Sequence, residues 1–258
     1  ISYVKWDMNR NMTEIGSTAW PAKKQKEIAH RYMLGLYKIL ENITSNFPNI
    51  LFESCSGGGG RFDGGMLYYM PQTWTSDDTD AIERLMIQEG TSLVYPTSSM
   101  GSHVSAVPNH QVHRITPLNT RGVVAMAGSF GYELDVTKMN EEEKEEVKKQ
   151  VEFYKNIRST VQFGDLYRLK SSFDSNEAAW MNLSKDGKEV VVSYVKKYAE
   201  ANVIPRRLKV KALDENSLYE VIETGEVFGG DELMYIGLEI GELMGDYQAK
   251  NWTLRKVD

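Results

Sequence analysis

Cysteine occurs once, as Cys55, in a chain of 258 residues. A lone thiol forms no internal disulfide, so a disulfide-stapled scaffold is excluded and the expected compartment is reducing and cytoplasmic. Cationic excess is missing too: 30 Lys and Arg stand against 36 Asp and Glu, a net charge of -6. With no basic cluster interleaved with aromatics, the chain is not built to neutralise a phosphate backbone, and no nucleic-acid partner is expected. No apolar run approaches the roughly 20 residues of a membrane-spanning helix, so no membrane partner is expected either. Histidine occurs four times. His103, His110 and His113 fall together within residues 100–114, but no Cys or Glu-x-x-His arrangement completes a tetrahedral set, and neither a metal nor a cofactor is expected. What is present is ordinary globular material, 41% hydrophobic and 26% charged. It suffices for one large domain or a domain with a smaller companion. The chain begins at Ile1, inside an apolar strand-like run with no signal-like segment before it, and reads as a piece of a longer protein.

Residues 1–6 read as a buried strand ending in the polar cluster Asp7, Met8 and Asn9. Pro21 opens a long helix in which Ile28, Tyr32, Leu36, Ile39, Leu40 and Ile43 recur at helical spacing. Short apolar strands are expected at 50–52, 72–76 and 92–95, each running into polar residues. The first leads into Glu53, Ser54, Cys55 and the glycines 57–60, the second into Asp77 and Asp78, the third into Pro96 and a serine-rich loop. Asp78 or Thr79 is the expected cap of a helix over 80–89. Further helices are expected over 118–130 and 141–159, with a last strand at 132–136. Strand–helix alternation with polar residues at strand C-termini predicts parallel βα units of the barrel kind. About four or five strands are visible where such a barrel has eight. From residue 163 onward the pattern changes to alternating runs at 189–198, 207–212, 217–222, 233–240 and 251–256, separated by turn signals such as Asp186-Gly187 and Gly229-Gly230. The expected fold is therefore α/β: residues 1–168 as the C-terminal half of a (β/α)8 barrel, and residues 169–258 as an antiparallel β-sandwich domain.

Three clusters at strand ends carry candidate chemistry. Lys5 and Asp7 share a face of the first strand. They read either as a structural ion pair or as a carboxylate kept ionised by a neighbouring ammonium, which suits a nucleophile. The glycine run after Cys55 lets backbone N–H groups approach a guest closely. A phosphate loop would end in Lys-Ser/Thr, which is missing, and sugar hydroxyls are the better guests. Asp77 continues the alternation of Thr73 and Thr75, with Trp74 as an apolar platform for a sugar face. Asp7 and Asp77, from different strand ends, would form the carboxylate pair of glycoside cleavage, expected about 5–5.5 Å apart for retention. Asp63 is set aside as a loop carboxylate paired with a cation such as Arg61.

Taken together, the runs Tyr-Val-Lys-Trp-Asp-Met-Asn-Arg (3–10), Glu-Ser-Cys-Ser-Gly-Gly-Gly-Gly-Arg-Phe-Asp (53–63), Thr-Trp-Thr-Ser-Asp-Asp (73–78) and Gly-Ser-His-Val-Ser-Ala-Val-Pro-Asn-His-Gln (101–111) resemble bacterial α-galactosidases of glycoside hydrolase family 36. Gly-Asp-Tyr-Gln (245–248) resembles the family's C-terminal β domain. The resemblance implies retaining hydrolysis of terminal α-galactosides of the melibiose and raffinose type. It makes Asp7 the nucleophile and Asp77 the acid/base, with Lys5, Asn9, Cys55 and Gly58 in contact with the sugar. It implies an α-galactoside oligosaccharide as substrate and a homo-oligomer when full length. It also implies earlier barrel strands that bind galactose and fall outside these residues, so the fragment alone is expected to be inactive and to fold poorly. Within the class, a transglycosylase or an N-acetylgalactosaminidase relative is the alternative; outside it, a non-catalytic carbohydrate-binding fragment.

Overall fold

The computed structural model of the chain describes residues 1–9, 12–202 and 204–257. It divides into two compact units, Ile1–Asp77 and Asp78–Asp258.

The first unit is built from βα steps. Strand β1 (Tyr3–Trp6) leads through a loop and a 3-10 turn (Ala22–Glu27) to helix α1 (Ile28–Asn46). Strand β2 (Leu51–Ser54), the short helix α2 (Gly64–Tyr69) and strand β3 (Gln72–Trp74) follow. β1 pairs with β2, and β2 with β3, both parallel. The core is the apolar stripe of α1, Leu36 and Leu40, packed on Phe52, Met66 and Met70. Pro21 therefore starts a 3-10 turn, not the α-helix itself: Ala22–Glu27 buries no residue, so nothing selects α over 3-10 geometry until Ile28. β1 was expected to be buried but is half-exposed, because among the described residues it is paired on one side only.

The second unit opens with α3 (Ala81–Thr91), then β4 (Met100–Ser105), α4 (Leu118–Ala125), β5 (Ser129–Glu133) and α5 (Glu141–Phe163). β4 and β5 are parallel. Asp80, not Asp78 or Thr79, caps α3, accepting from the N–H groups of Ile82 and Glu83. A capping box of Asn140 and Glu143 starts α5. The strand expected at 92–95 is a turn, with Leu93 and Val94 66% and 77% exposed. The strand is instead Met-Gly-Ser-His-Val-Ser, which looks polar but is largely buried, with these polar groups bonded: Ser102 Oγ donates to Gln88, Arg84 to Gly101 O, and Arg121 to Ser105 O. The last strand of this set lies at 129–133, three residues earlier than expected, and α4 is correspondingly shorter.

The remainder is antiparallel: β6 (Asp165–Lys170), β7 (Glu177–Leu183), β8 (Glu189–Lys196), β9 (Arg207–Leu208), β10 (Leu218–Val221), β11 (Glu226–Gly229), helix α6 (Gly230–Tyr235), β12 (Leu238–Glu239) and β13 (Gln248–Val257). Six strands form one sheet in the order β11-β10-β13-β8-β7-β6, and β9 pairs with β12. Alternation splits β8 between two cores: Val190, Val192 and Tyr194 join Leu208, Leu233 and Leu254 on one face, while Val195 packs with Val123 and Val124 of α4 on the other. Glu177 is buried among Lys170, Arg206 and the Tyr194 hydroxyl. The run 233–240, expected as one strand, is divided: 233–235 finish α6, whose first turn carries Asp231 and Glu232 and whose Leu233 points inward, and only Leu238–Glu239 form a strand, β12. No helix among the described residues is long and apolar enough to cross a membrane.

Candidate active site

The candidate residues of the first unit stand at three neighbouring strand ends. Parallel register sets Lys5 beside Glu53 and Glu53 beside Gln72, so these three share one face of the sheet. Asp7 follows β1 directly, Cys55 follows β2, and Asp77 lies three residues beyond the end of β3.

Asp7 is held by hydrogen bonds. Met8 N–H donates to its Oδ1 at 2.9 Å, and Asn9 Nδ2 donates to its Oδ2 at 2.8 Å. The Cys55 thiol is a third donor. Lost solvation pushes the carboxyl pKa up, but the bonds from Asn9, Cys55 and Met8, with a smaller contribution from the Lys5 charge, outweigh it. Asp7 is held below the ordinary aspartate value. It is an anion at neutral pH, the state a nucleophile requires. Burial, and then the neighbouring Asp7, push the Cys55 thiol up against the bond its sulfur accepts from Gly58 N–H. Asn9 is tied on its other side, its Oδ1 accepting from Gly57 N–H at 2.9 Å. Asn9 and Cys55, expected as sugar contacts, thus both have their side chains on Asp7.

Lys5 was expected to pair with Asp7. Its ion pair is with Glu53 instead, Nζ to Oε1 at 3.9 Å, and its Nζ sits 4.8 Å from the Trp74 ring centroid. Trp74 is 2% exposed, so it serves as a floor for the lysine and not as an open stacking platform. Glu53 is not among the residues that the sequence marks as a candidate. Its signal in the sequence is a carboxylate directly after the apolar run 50–52, within β2.

The glycine run brings backbones together. Gly58 has φ +82°, and a Cβ there would lie 2.5 Å from Ser76 Cα and 3.1 Å from Asp77 N. A Cβ on Gly59 would lie 3.1 Å from Thr75 O. The loop after β2 therefore presses on the segment that carries Asp77. That contact, not strand alternation, positions Asp77, since β3 ends at Trp74. Ser56 Oγ donates to Met8 O at 2.7 Å, and the Arg61 guanidinium donates to Trp6 O at 2.7 Å and Cys55 O at 2.9 Å. Asp63 is not paired with Arg61: it caps α2, accepting from Met66 N–H at 2.8 Å. Arg10, the last residue of the first motif, lies outside the described residues. Among the described residues, no group of three or more His, Cys, Asp and Glu is placed to hold a metal ion.

Comparison with known proteins places the chain in a family. A family model described as Melibiase matches residues 1–164, and one described as the glycosyl hydrolase family 36 C-terminal domain matches residues 177–254. The chain belongs to glycoside hydrolase family 36. It is 62% identical to α-galactosidase AgaA of Geobacillus stearothermophilus and 53% identical to α-galactosidase Mel36A of Lactobacillus acidophilus, matching over 100% of its own length and 35% of each relative. The crystal structure of AgaA with raffinose matches with a TM-score of 0.97 at 61% identity, covering 100% of this chain and 36% of that one. A stachyose complex of AgaA matches equally well. The raffinose complex carries an Asp-to-Asn substitution and the stachyose complex an Asp-to-Ala substitution, at positions 70 apart in that protein. The chain spans about a third of the length of these relatives. Its βα units are the C-terminal part of a (β/α)8 barrel, and its antiparallel strands the β domain that follows.

Proposed function

We propose that the full-length protein hydrolyses terminal α-galactosides of the melibiose and raffinose type with retention, and that this chain supplies both catalytic carboxylates. Asp7 attacks the anomeric carbon and forms a covalent galactosyl ester, while Asp77 protonates the departing oxygen. Asp77 then removes a proton from the water that cleaves the ester. Lys5, 36% exposed at its side chain, offers its ammonium to a sugar hydroxyl. Residues 1–168 belong to the barrel and residues 169–258 to the β domain, in a cytoplasmic homo-oligomer that needs no cofactor.

The observation that carries the reading is the Asp7 carboxylate, held ionised by three donors at a barrel strand end. The relatives add support. An intact oligosaccharide persists in a glycosidase crystal when the chemistry is disabled, and the two aspartates replaced there have the separation of Asp7 and Asp77. The test uses the full-length protein and an aryl α-galactoside. Asp7→Ala is expected to lower kcat on the order of 10⁴-fold or more, with partial recovery in azide and a β-galactosyl azide product. Substantial residual activity without azide, or a wild-type product of inverted configuration, removes the assignment.

A further inference from the structure

We propose that Glu53 is a positioning residue that holds Lys5 away from the nucleophile; this rests on the function proposed above. Glu53 is 0% exposed. A carboxylate so buried stays charged only where cations and donors surround it, and here they come from both neighbouring strands. From β1, the Tyr3 hydroxyl donates to Oε2, and Lys5 Nζ stands 3.9 Å from Oε1. From β3, Gln72 Nε2 donates to Oε2 at 2.7 Å. The parallel register makes this possible, because Lys5, Glu53 and Gln72 are direct neighbours across the sheet.

The placement is one step below Asp7. Lys5 is the last residue but one of β1 and Asp7 follows the strand directly, near enough that the Lys5 charge acts on its carboxyl. A lysine ammonium on a four-carbon stem reaches several positions, and the strongest nearby charge decides among them. With Glu53 below and the Trp74 ring beside it, the ammonium has a seat that is not Asp7. Removing the Glu53 charge leaves Asp7 as the dominant attraction. Lys5 then closes on Asp7, blocks the oxygen that must attack, and withdraws a donor from the sugar. Asp7 already has three hydrogen-bond donors of its own, so it does not depend on Lys5 for its ionisation. That division lets the ammonium serve the substrate.

The experiment is a double-mutant cycle in the full-length protein. Glu53→Gln keeps the volume and an acceptor for Tyr3 and Gln72 but removes the charge. Lys5→Met keeps the stem and removes the ammonium. Values of kcat and KM for an aryl α-galactoside, and thermal midpoints, are measured for wild type, both single variants and the double. Each single change is expected to lower kcat/KM by roughly 10- to 100-fold, with Glu53→Gln acting mainly on kcat. The double is expected to be no worse than Lys5→Met alone, because Glu53 acts through Lys5. Lys5→Met is also expected to melt earlier than the double, since it strands the Glu53 charge. Where Glu53→Gln does not fold, Glu53→Asp, which draws the charge back by one methylene, carries the same cycle. Kinetic losses that multiply, or a Glu53→Gln variant with wild-type kcat and KM, overturn the proposal. A wild type that leaves the galactoside intact removes the functional reading, and this one with it; an active wild type with multiplying losses removes this one alone.

Discussion

Replacing Gly58 by alanine separates conformational strain from displacement at the site, because Gly57 beside it supplies the control. Both glycines have positive φ, +53° and +82°. An L-residue in that region costs roughly 1–2 kcal/mol. A Cβ on Gly57 meets nothing within 4 Å, so Gly57→Ala carries that cost alone. A Cβ on Gly58 would stand 2.5 Å from Ser76 Cα. Carbon atoms rest about 3.5–4.0 Å apart, so the loop and the 75–77 segment must separate by about 1 Å. The atom in the way is backbone and cannot rotate aside. A misplacement of that size at a catalytic group costs about 10²-fold in rate. In the full-length protein, Gly58→Ala is therefore expected to lose about 10² in kcat on an aryl α-galactoside. Gly57→Ala is expected to stay close to the wild-type rate while unfolding at lower urea. Equal kinetic damage from both substitutions, or wild-type kcat in Gly58→Ala, would falsify the claim that the glycine loop positions Asp77.

Asn9→Ala removes the first of the donors that hold the Asp7 pKa down, so the acid limb of kcat/KM should move to higher pH. Lys5, Cys55 and Arg61 also act on Asp7 and are unchanged in that variant; a limb that stays put would show that Asn9 does not set the ionisation. Glu177 lies below the ordinary glutamate pKa: burial raises it, but bonds from Lys170, Tyr194 and Arg206 outweigh burial. Its folded value is the lower one, so its contribution is present above the unfolded glutamate pKa and is lost as pH falls through the folded value. Glu177→Gln is expected to cost about 1–3 kcal/mol near neutral pH and less in acid, measured by urea unfolding across pH; a loss independent of pH would count against the charge.

The parallel and antiparallel halves could be read from the chain because strand-end polar residues and alternating runs are local patterns. The misplaced elements are those whose burial is decided by distant partners. Leu93 and Val94 look like a strand but are exposed, whereas β4 looks like a loop and is largely buried, with Arg84, Gln88 and Arg121 bonding Gly101 O, Ser102 Oγ and Ser105 O. The cap of α3 was misassigned because Asp78, Thr79 and Asp80 are all good caps, and only the backbone turn selects Asp80. At the site, Asp7 and Asp77 stand out by motif, and the short spacing of Lys5 and Asp7 puts the lysine charge within range of that carboxyl. Which carboxylate Lys5 pairs with depended on the β1–β2 register, which no local pattern states. The use of Asn9 and Cys55 as donors to Asp7 likewise depends on a loop closing over the strand end.

Arg61 ties the ends of β1 and β2 through the carbonyls of Trp6 and Cys55. Neither acceptor has a proton to gain, and neither is a counter-ion that dissolved salt can replace. A clasp of this kind is indifferent to ionic strength over distances at which surface ion pairs are screened. It also survives protonation of the carboxylates above it. Protonating Asp7 therefore removes neither bond of the clasp, and the ends of β1 and β2 stay tied whichever charge state Asp7 is in.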